Sequence, residues 1–80
     1  MVGQAKGPQK RSVTLNGHRT SISLEPVFWN LLEHEAARQG LSINGLVSKI
    51  DHARETNLSS ALRTYLVEQL LASQEDRQSN

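Results

Sequence analysis

The stretch "HRTSISLEPVFW", residues 18–29, decides the fold because a strand pattern passes directly into a helix pattern there. Polar residues at positions 19, 21 and 23 alternate with mostly apolar residues at positions 20, 22 and 24. This two-residue period is typical of a half-buried strand, which we place at residues 19–24. A lone strand leaves its backbone N–H and C=O groups unpaired, so this strand needs a partner.

One possible partner lies in the same chain. Asn16-Gly17 is the dipeptide typical of a type I′ hairpin turn, and Val13 to Leu15 precede it. That piece is very short, and a hairpin would still leave one strand edge open. We therefore favour pairing with a second copy of the chain and leave the hairpin as an alternative. Residues 1–11 are rich in Gly, Gln and Lys and are predicted to be a disordered basic arm.

Three helices are predicted after the strand. Helix A runs from about 26 to 39, with Pro26 in its first turn and Gly40 as its terminator. Helix B runs from about 43 to 54 after the capping residue Ser42. Helix C runs from about 59 to 72, and residues 73–80 form a frayed tail. Residues 12–72 thus make one domain.

Size and charge favour a second chain and a polyanionic partner. A single chain of 80 residues without cysteine has a small core, which a homodimer would enlarge. Residues 1–24 carry four basic and no acidic residues, +4, whereas residues 25–80 carry five basic and eight acidic ones, −3. No apolar run reaches the ~20 residues of a membrane span, so we expect a cytoplasmic protein and no membrane partner.

The segment "RTSISLEPVFWNLLEHEAARQGLSINGLV", residues 19–47, resembles the ribbon-helix-helix superfamily of dimeric DNA-binding repressors, of the Arc, MetJ and CopG type. The resemblance rests on the alternating strand, the step from Leu24 to Gly40 and the "GLS" before helix B. It implies a mainly α homodimer with one short strand per chain, an intersubunit antiparallel β-ribbon and an additional C-terminal helix. The implied dimer core comprises Ile22, Leu24, Phe28, Leu32, Ile43, Leu46, Val47 and Ile50.

The same resemblance implies a site for double-stranded DNA. Alternating strand positions contact bases in the family, and these positions are Arg19, Ser21 and Ser23 here. Arginine can donate two hydrogen bonds to guanine, whereas a serine hydroxyl discriminates less. Phosphate contacts are expected from the start of helix B and from the arm, at Ser42, Ile43, Asn44, Lys10 and Arg11.

The preferred function is therefore that of a sequence-specific repressor or autoregulator. Two alternatives stay open: an antitoxin-like repressor whose helix C binds a protein, and a dimeric interaction module that binds no DNA and keeps the Asn16-Gly17 hairpin. No metal site or cofactor is expected, because His34-Glu35 lacks the second histidine of a zinc-protease motif and the three histidines have no ligand spacing. No enzyme is expected either, because the sequence offers no credible set of acid, base, nucleophile or metal. The run containing Glu33, Glu35 and Arg38 is interpreted as a solvated helix face.

Overall fold

The structure is a computed structural model that describes residues 7–78, with side chains for residues 7–75. Within this range a two-stranded antiparallel sheet is followed by three helices. In chain order the elements are β1 (Gln9–Leu15), β2 (His18–Leu24), α1 (Pro26–Gln39), α2 (Ile43–Ala53) and α3 (Leu58–Gln78).

The partner of β2 is β1 of the same chain. The two strands pair from Gln9 opposite Leu24 to Leu15 opposite His18. Asn16 and Gly17 have φ angles of 52° and 79°, both positive, as a type I′ turn requires. The hairpin, the less favoured of the two pairings that the sequence allows, is thus the one that the structure shows.

Two packing contacts explain why β1 is longer than expected. Val13 and Leu15 are buried on its inner side, and the indole Nε1 of Trp29 donates to the Gln9 carbonyl at 2.8 Å. Residues 9–11, which the composition assigns to a disordered arm, are therefore the first residues of a strand. The part of the predicted arm at residues 1–6 lies outside the described residues.

The helix ends follow local sequence features. α1 has the predicted bounds, and Gly40 ends it with a φ of 71°. The Ser42 hydroxyl accepts from the Gly45 N–H at 3.0 Å, and the Asn57 side chain accepts from the Ser60 N–H at 2.9 Å. α2 ends at Ala53, with Arg54 as its capping residue.

The third helix departs most from its predicted bounds. It continues to Gln78, so the predicted frayed tail is helical from residue 73 to residue 78. The added segment contains mostly Gln, Glu and Arg, which are good helix formers. Residues 79 and 80 lie outside the described part of the chain.

The core forms within one chain. Six of the eight predicted core residues are buried there, and Phe28 and Ile43 are partly buried against them. As a core shared between two chains, this set stays a prediction. The buried hydrophobic residues are Val13, Leu15, Ile22, Leu24, Trp29, Leu32, Ala36, Leu46, Val47, Ile50, Leu62 and Leu66.

A polar cluster joins the three helices beside this core. Glu35 accepts hydrogen bonds from Arg38 and Gln39, and Gln39 also donates to the Tyr65 hydroxyl at 2.8 Å. The Lys49 ammonium donates to the Gln39 side-chain oxygen at 3.0 Å. Glu35 is only 7% exposed, so the interpretation of this run as a solvated face is wrong at that position.

Candidate nucleic-acid interface

The outward face of the β1–β2 hairpin carries only polar side chains. Successive side chains of a strand point to opposite faces, and the apolar ones of both strands lie on the inner face. Five of the six outward residues are exposed, and Ser23 is half-buried. The directly opposed pairs are Lys10 with Ser23, Ser12 with Ser21, and Thr14 with Arg19.

This arrangement gathers the predicted base-contacting residues on one surface. Arg19, Ser21 and Ser23 share the outward face, as the alternation predicted. Ser12 and Thr14, which β1 places opposite Ser21 and Arg19, were not among the predicted site residues. The alternation of polar and apolar residues in "KRSVTL", residues 10–15, predicts that Ser12 and Thr14 share one strand face. It places them opposite Ser21 and Arg19 only if β1 is the partner strand of β2.

The two basic residues assigned to the arm lie on opposite faces. Lys10 points outward, whereas Arg11 donates to a carboxylate oxygen of Glu33 on α1 at 3.1 Å. The Arg11 guanidinium also lies 4.7 Å from the centre of the Trp29 ring, a cation–π distance. Arg11 therefore contacts the helical layer, and its assignment as a phosphate-contacting residue stays a prediction.

The start of α2 lies beside the turn end of the hairpin. The Asn44 side-chain oxygen accepts from the backbone N–H of Thr14 at 3.4 Å, and Thr14 is opposite Arg19. Ser42 caps the helix, and the side chain of Ile43 packs against the core. Ile43 could therefore contact an anion only through its backbone N–H, one of the free donors of a first helical turn.

The charges on the outward face of the hairpin and at the start of α2 favour an anionic ligand. The outward face carries Lys10 and Arg19, and no Asp or Glu occurs in residues 7–24. The first turn of α2 contains no acidic residue either. The positive end of the α2 dipole adds to the two side-chain charges, so the outward face and the start of the helix both attract an anion.

Among the residues that the structure describes, no three His, Cys, Asp or Glu side chains are grouped as a metal ion would need. No described helix is long and apolar enough to cross a membrane.

Comparisons with known proteins find a matching family model and a similar solved structure. The family model described as "Ribbon-helix-helix domain" matches residues 8–70. A similar solved structure is that of an uncharacterized protein from Bordetella pertussis Tohama I, at 32% sequence identity and a TM-score of 0.74. The match covers 88% of this chain but 61% of the other, so this chain spans less than two thirds of that protein. No curated protein matches significantly.

Proposed function

The chain belongs to the ribbon-helix-helix domain family, and we propose that it is a sequence-specific DNA-binding protein that acts as a transcriptional repressor or autoregulator. The observation that carries the proposal is the outward face of the hairpin, which is polar throughout and has two basic residues and no acidic one. A charged, hydrogen-bonding ribbon of this kind suits the edges of base pairs between two rows of phosphates.

The dimensions of the hairpin fit the major groove. Neighbouring strands lie about 4.8 Å apart, and the groove of B-DNA is about 12 Å wide. One chain therefore provides a complete two-stranded ribbon. If a second copy added its strands to the open edge of β2, the resulting four-stranded sheet would be too wide for the groove, so we propose that the ribbon enters DNA as an intrachain hairpin.

Each outward residue has a role that follows from its chemistry. Arg19 can donate two parallel hydrogen bonds to guanine O6 and N7, and the Ser12, Ser21 and Ser23 hydroxyls can both donate and accept. Lys10 is placed to contact a phosphate. The first turn of α2, next to Thr14, can bind a second phosphate through its backbone N–H groups and the Ser42 hydroxyl.

We further propose that the protein acts in the cytoplasm as a homodimer. A two-fold assembly presents two equal ribbons, and such an assembly reads an inverted repeat whose half-sites lie about one helical turn of DNA apart. The second chain also stabilises a domain of this size by covering apolar surface that one chain leaves exposed.

The proposal is tested by fluorescence anisotropy of a labelled duplex at several salt concentrations. Wild-type affinity should fall steeply with salt, because bound basic groups release counterions from DNA. Arg19→Ala should weaken binding to the preferred sequence by roughly 5- to 150-fold, the equivalent of 1–3 kcal/mol for a bidentate base contact.

Arg54→Ala is the matched control. It removes the same charge from the far end of α2, where Arg54 pairs with Asp51, and should leave the affinity nearly unchanged. Equal losses in both variants would mean that only total charge matters. An Arg19→Ala protein with wild-type affinity and sequence preference would contradict the role of Arg19.

A second candidate, a protein-interaction module without DNA binding, is favoured by one observation. That hypothesis predicted a hairpin spanning Val13 to Leu24, and the described chain has such a hairpin. The interaction-module hypothesis also requires that the protein has no DNA affinity at low salt. The anisotropy titration described above therefore separates the two functions.

A further inference from the structure

The sequence contains two Asn-Gly dipeptides, and the structure places them in different backbone environments. Asn16-Gly17 forms the tip of the β1–β2 hairpin, whereas Asn44-Gly45 lies in the first turn of α2. Both asparagine side chains are exposed to solvent. Exposure therefore does not distinguish the two dipeptides, but the hydrogen bonds of their reacting groups do.

An Asn-Gly dipeptide can undergo deamidation without an enzyme. The backbone nitrogen of the glycine attacks the side-chain carbonyl carbon of the asparagine, and the side-chain amide leaves as ammonia with the proton that this nitrogen has lost. Water then opens the resulting succinimide ring at either carbonyl and gives aspartate or isoaspartate, so one water is consumed for each ammonia released. Glycine favours the attack because it has no Cβ beside the reacting nitrogen.

At the hairpin tip the reacting groups are free. Among the hydrogen bonds of the described residues, none involves the Gly17 N–H or the Asn16 side chain. Apart from the adjoining residues, no atom lies within 4 Å of the position that a Cβ on Gly17 would take. Only these two residues separate the last strand pair, Leu15 with His18, so the attack requires a rearrangement of the tip alone.

In α2 the same groups are held in place. The Gly45 N–H donates to the Ser42 hydroxyl oxygen at 3.0 Å, and the Asn44 side-chain oxygen accepts from the Thr14 N–H at 3.4 Å. A Cβ on Gly45 would lie 3.3 Å from Ser42 Oγ, so the space beside the nitrogen is also occupied. Deamidation of Asn44 therefore requires the cap of α2 to open first.

We propose that Asn16 is a deamidation site, that Asn44 is not, and that the carboxylate formed at position 16 lowers the affinity of the hairpin for DNA. The effect on DNA rests on the function proposed above, whereas the choice between the two asparagines does not. Because the released ammonia diffuses away, the conversion accumulates with the age of the protein.

A carboxylate at the tip lies close to the groups that attract an anion. Thr14, two residues before Asn16, is paired with Arg19 and contacts the start of α2 through Asn44. Residues 7–24 contain no Asp or Glu, so the new charge would be the first negative side chain of the hairpin, where it repels phosphate. Isoaspartate also lengthens the main chain within a turn whose length sets the strand register.

Mass spectrometry of the aged full-length protein measures the two sites separately. Trypsin cleaves after Lys and Arg, and it releases Asn16 in a peptide of residues 12–19 and Asn44 in a peptide of residues 39–49. In native buffer, Asn16 should deamidate roughly tenfold or more faster than Asn44, because only Asn44 has to wait for a helix cap to open. In urea the two rates should agree within about threefold, because the unfolded chain protects neither site. A native Asn16 that reacts no faster than Asn44 would overturn the proposed site.

Two variants separate the new charge from the shape of the turn. Asp-Gly and Gly-Gly both suit a type I′ turn, so Asn16→Asp and Asn16→Gly should keep the hairpin, but only the first adds a carboxylate. In the anisotropy titration at low salt, Asn16→Asp should weaken DNA binding roughly 2- to 5-fold, as one exposed charge does, and Asn16→Gly should bind like wild type. The difference should shrink at high salt, which screens the charge. Circular dichroism checks that both variants fold.

The two experiments fail independently. Equal DNA affinities of Asn16→Asp and wild type would overturn the effect on DNA binding and leave the deamidation site. A wild-type protein without DNA affinity would overturn the proposed function together with that effect. The peptide masses would still decide whether Asn16 is the reactive asparagine, because that measurement uses no DNA.

Discussion

Glu35 is the buried charged residue of the helical layer, at 7% exposure. Hydrogen bonds from Arg38, followed by one from Gln39, hold its pKa below the ordinary value of 4.5 despite the opposing effect of burial. The same carboxylate connects, through Gln39, to Tyr65 on α3 and Lys49 on α2. Glu35 thus belongs to one hydrogen-bonded cluster with side chains of all three helices.

This arrangement predicts a specific acid sensitivity. Because the folded pKa of Glu35 is lowered, its ionised form stabilises the fold above pH 4.5, and that stability is lost as the pH falls through the folded pKa. Urea unfolding at pH 7 and pH 3 should show a smaller pH effect on the free energy of unfolding in Glu35→Gln than in wild type. An equal pH effect in both proteins would contradict this role.

Gly17 is the second residue with a testable backbone role. Its φ of 79° lies in the left-handed region, where an L side chain costs about 1–2 kcal/mol. Gly17→Ala should lower the free energy of unfolding by about 1 kcal/mol in chemical denaturation. Gly7→Ala is the matched control, because no other atom approaches its added methyl group and its φ is not in that region. Equal effects would mean that the turn does not constrain the hairpin.

At the scale of elements, the helix ends that have local signals were predictable, whereas the partner strand of β2 was left open between two alternatives. Pro26, Gly40 and Ser42 act within a few residues of themselves, so the ends of α1 and the start of α2 follow from sequence. The choice of partner for β2 depends instead on a distant contact, the Trp29 indole that binds the Gln9 carbonyl. Strand alternation identifies one face of a strand but not which strand lies beside it.

The features of the candidate site likewise divide into those that local sequence predicts and those that depend on distant packing. The shared face of Arg19, Ser21 and Ser23 followed from the two-residue period, and the cap at Ser42 from a local pattern. The proximity of Asn44 to Thr14 could not be predicted, because it depends on how α2 packs against β1. Because Arg11 was assigned to a flexible arm, its position on the strand face opposite to Lys10 was not predicted.

If the outward face of the hairpin binds DNA, an acidic substitution on that face should weaken binding more than the same substitution on α3. Thr14→Glu would place a carboxylate opposite Arg19 on the outward face, next to the start of α2. DNA affinity should fall by tenfold or more, because the acid repels phosphate and pairs with the guanidinium. Thr64→Glu, an exposed threonine on α3, should have a smaller effect in the same anisotropy titration. Equal losses would argue against a localised interface.

On the scale of the whole molecule, charge is distributed unevenly, because residues 7–24 contain no acidic residue whereas all eight acidic residues lie from residue 25 onward. The hairpin therefore presents a basic polar face supported by the core. The chain as a whole has a net charge of only +1, so its attraction to DNA depends on where the charges lie rather than on their sum.

The central claim is that the outward face of the hairpin binds DNA. The most direct measurement is an NMR titration of isotope-labelled protein with a short duplex, following every backbone amide. We predict that the largest shifts occur in residues 10–23 and in the first turn of α2, at residues 42–44. Chemical-shift changes confined to α3, or no changes at low salt, would contradict the claim that the outward face binds DNA.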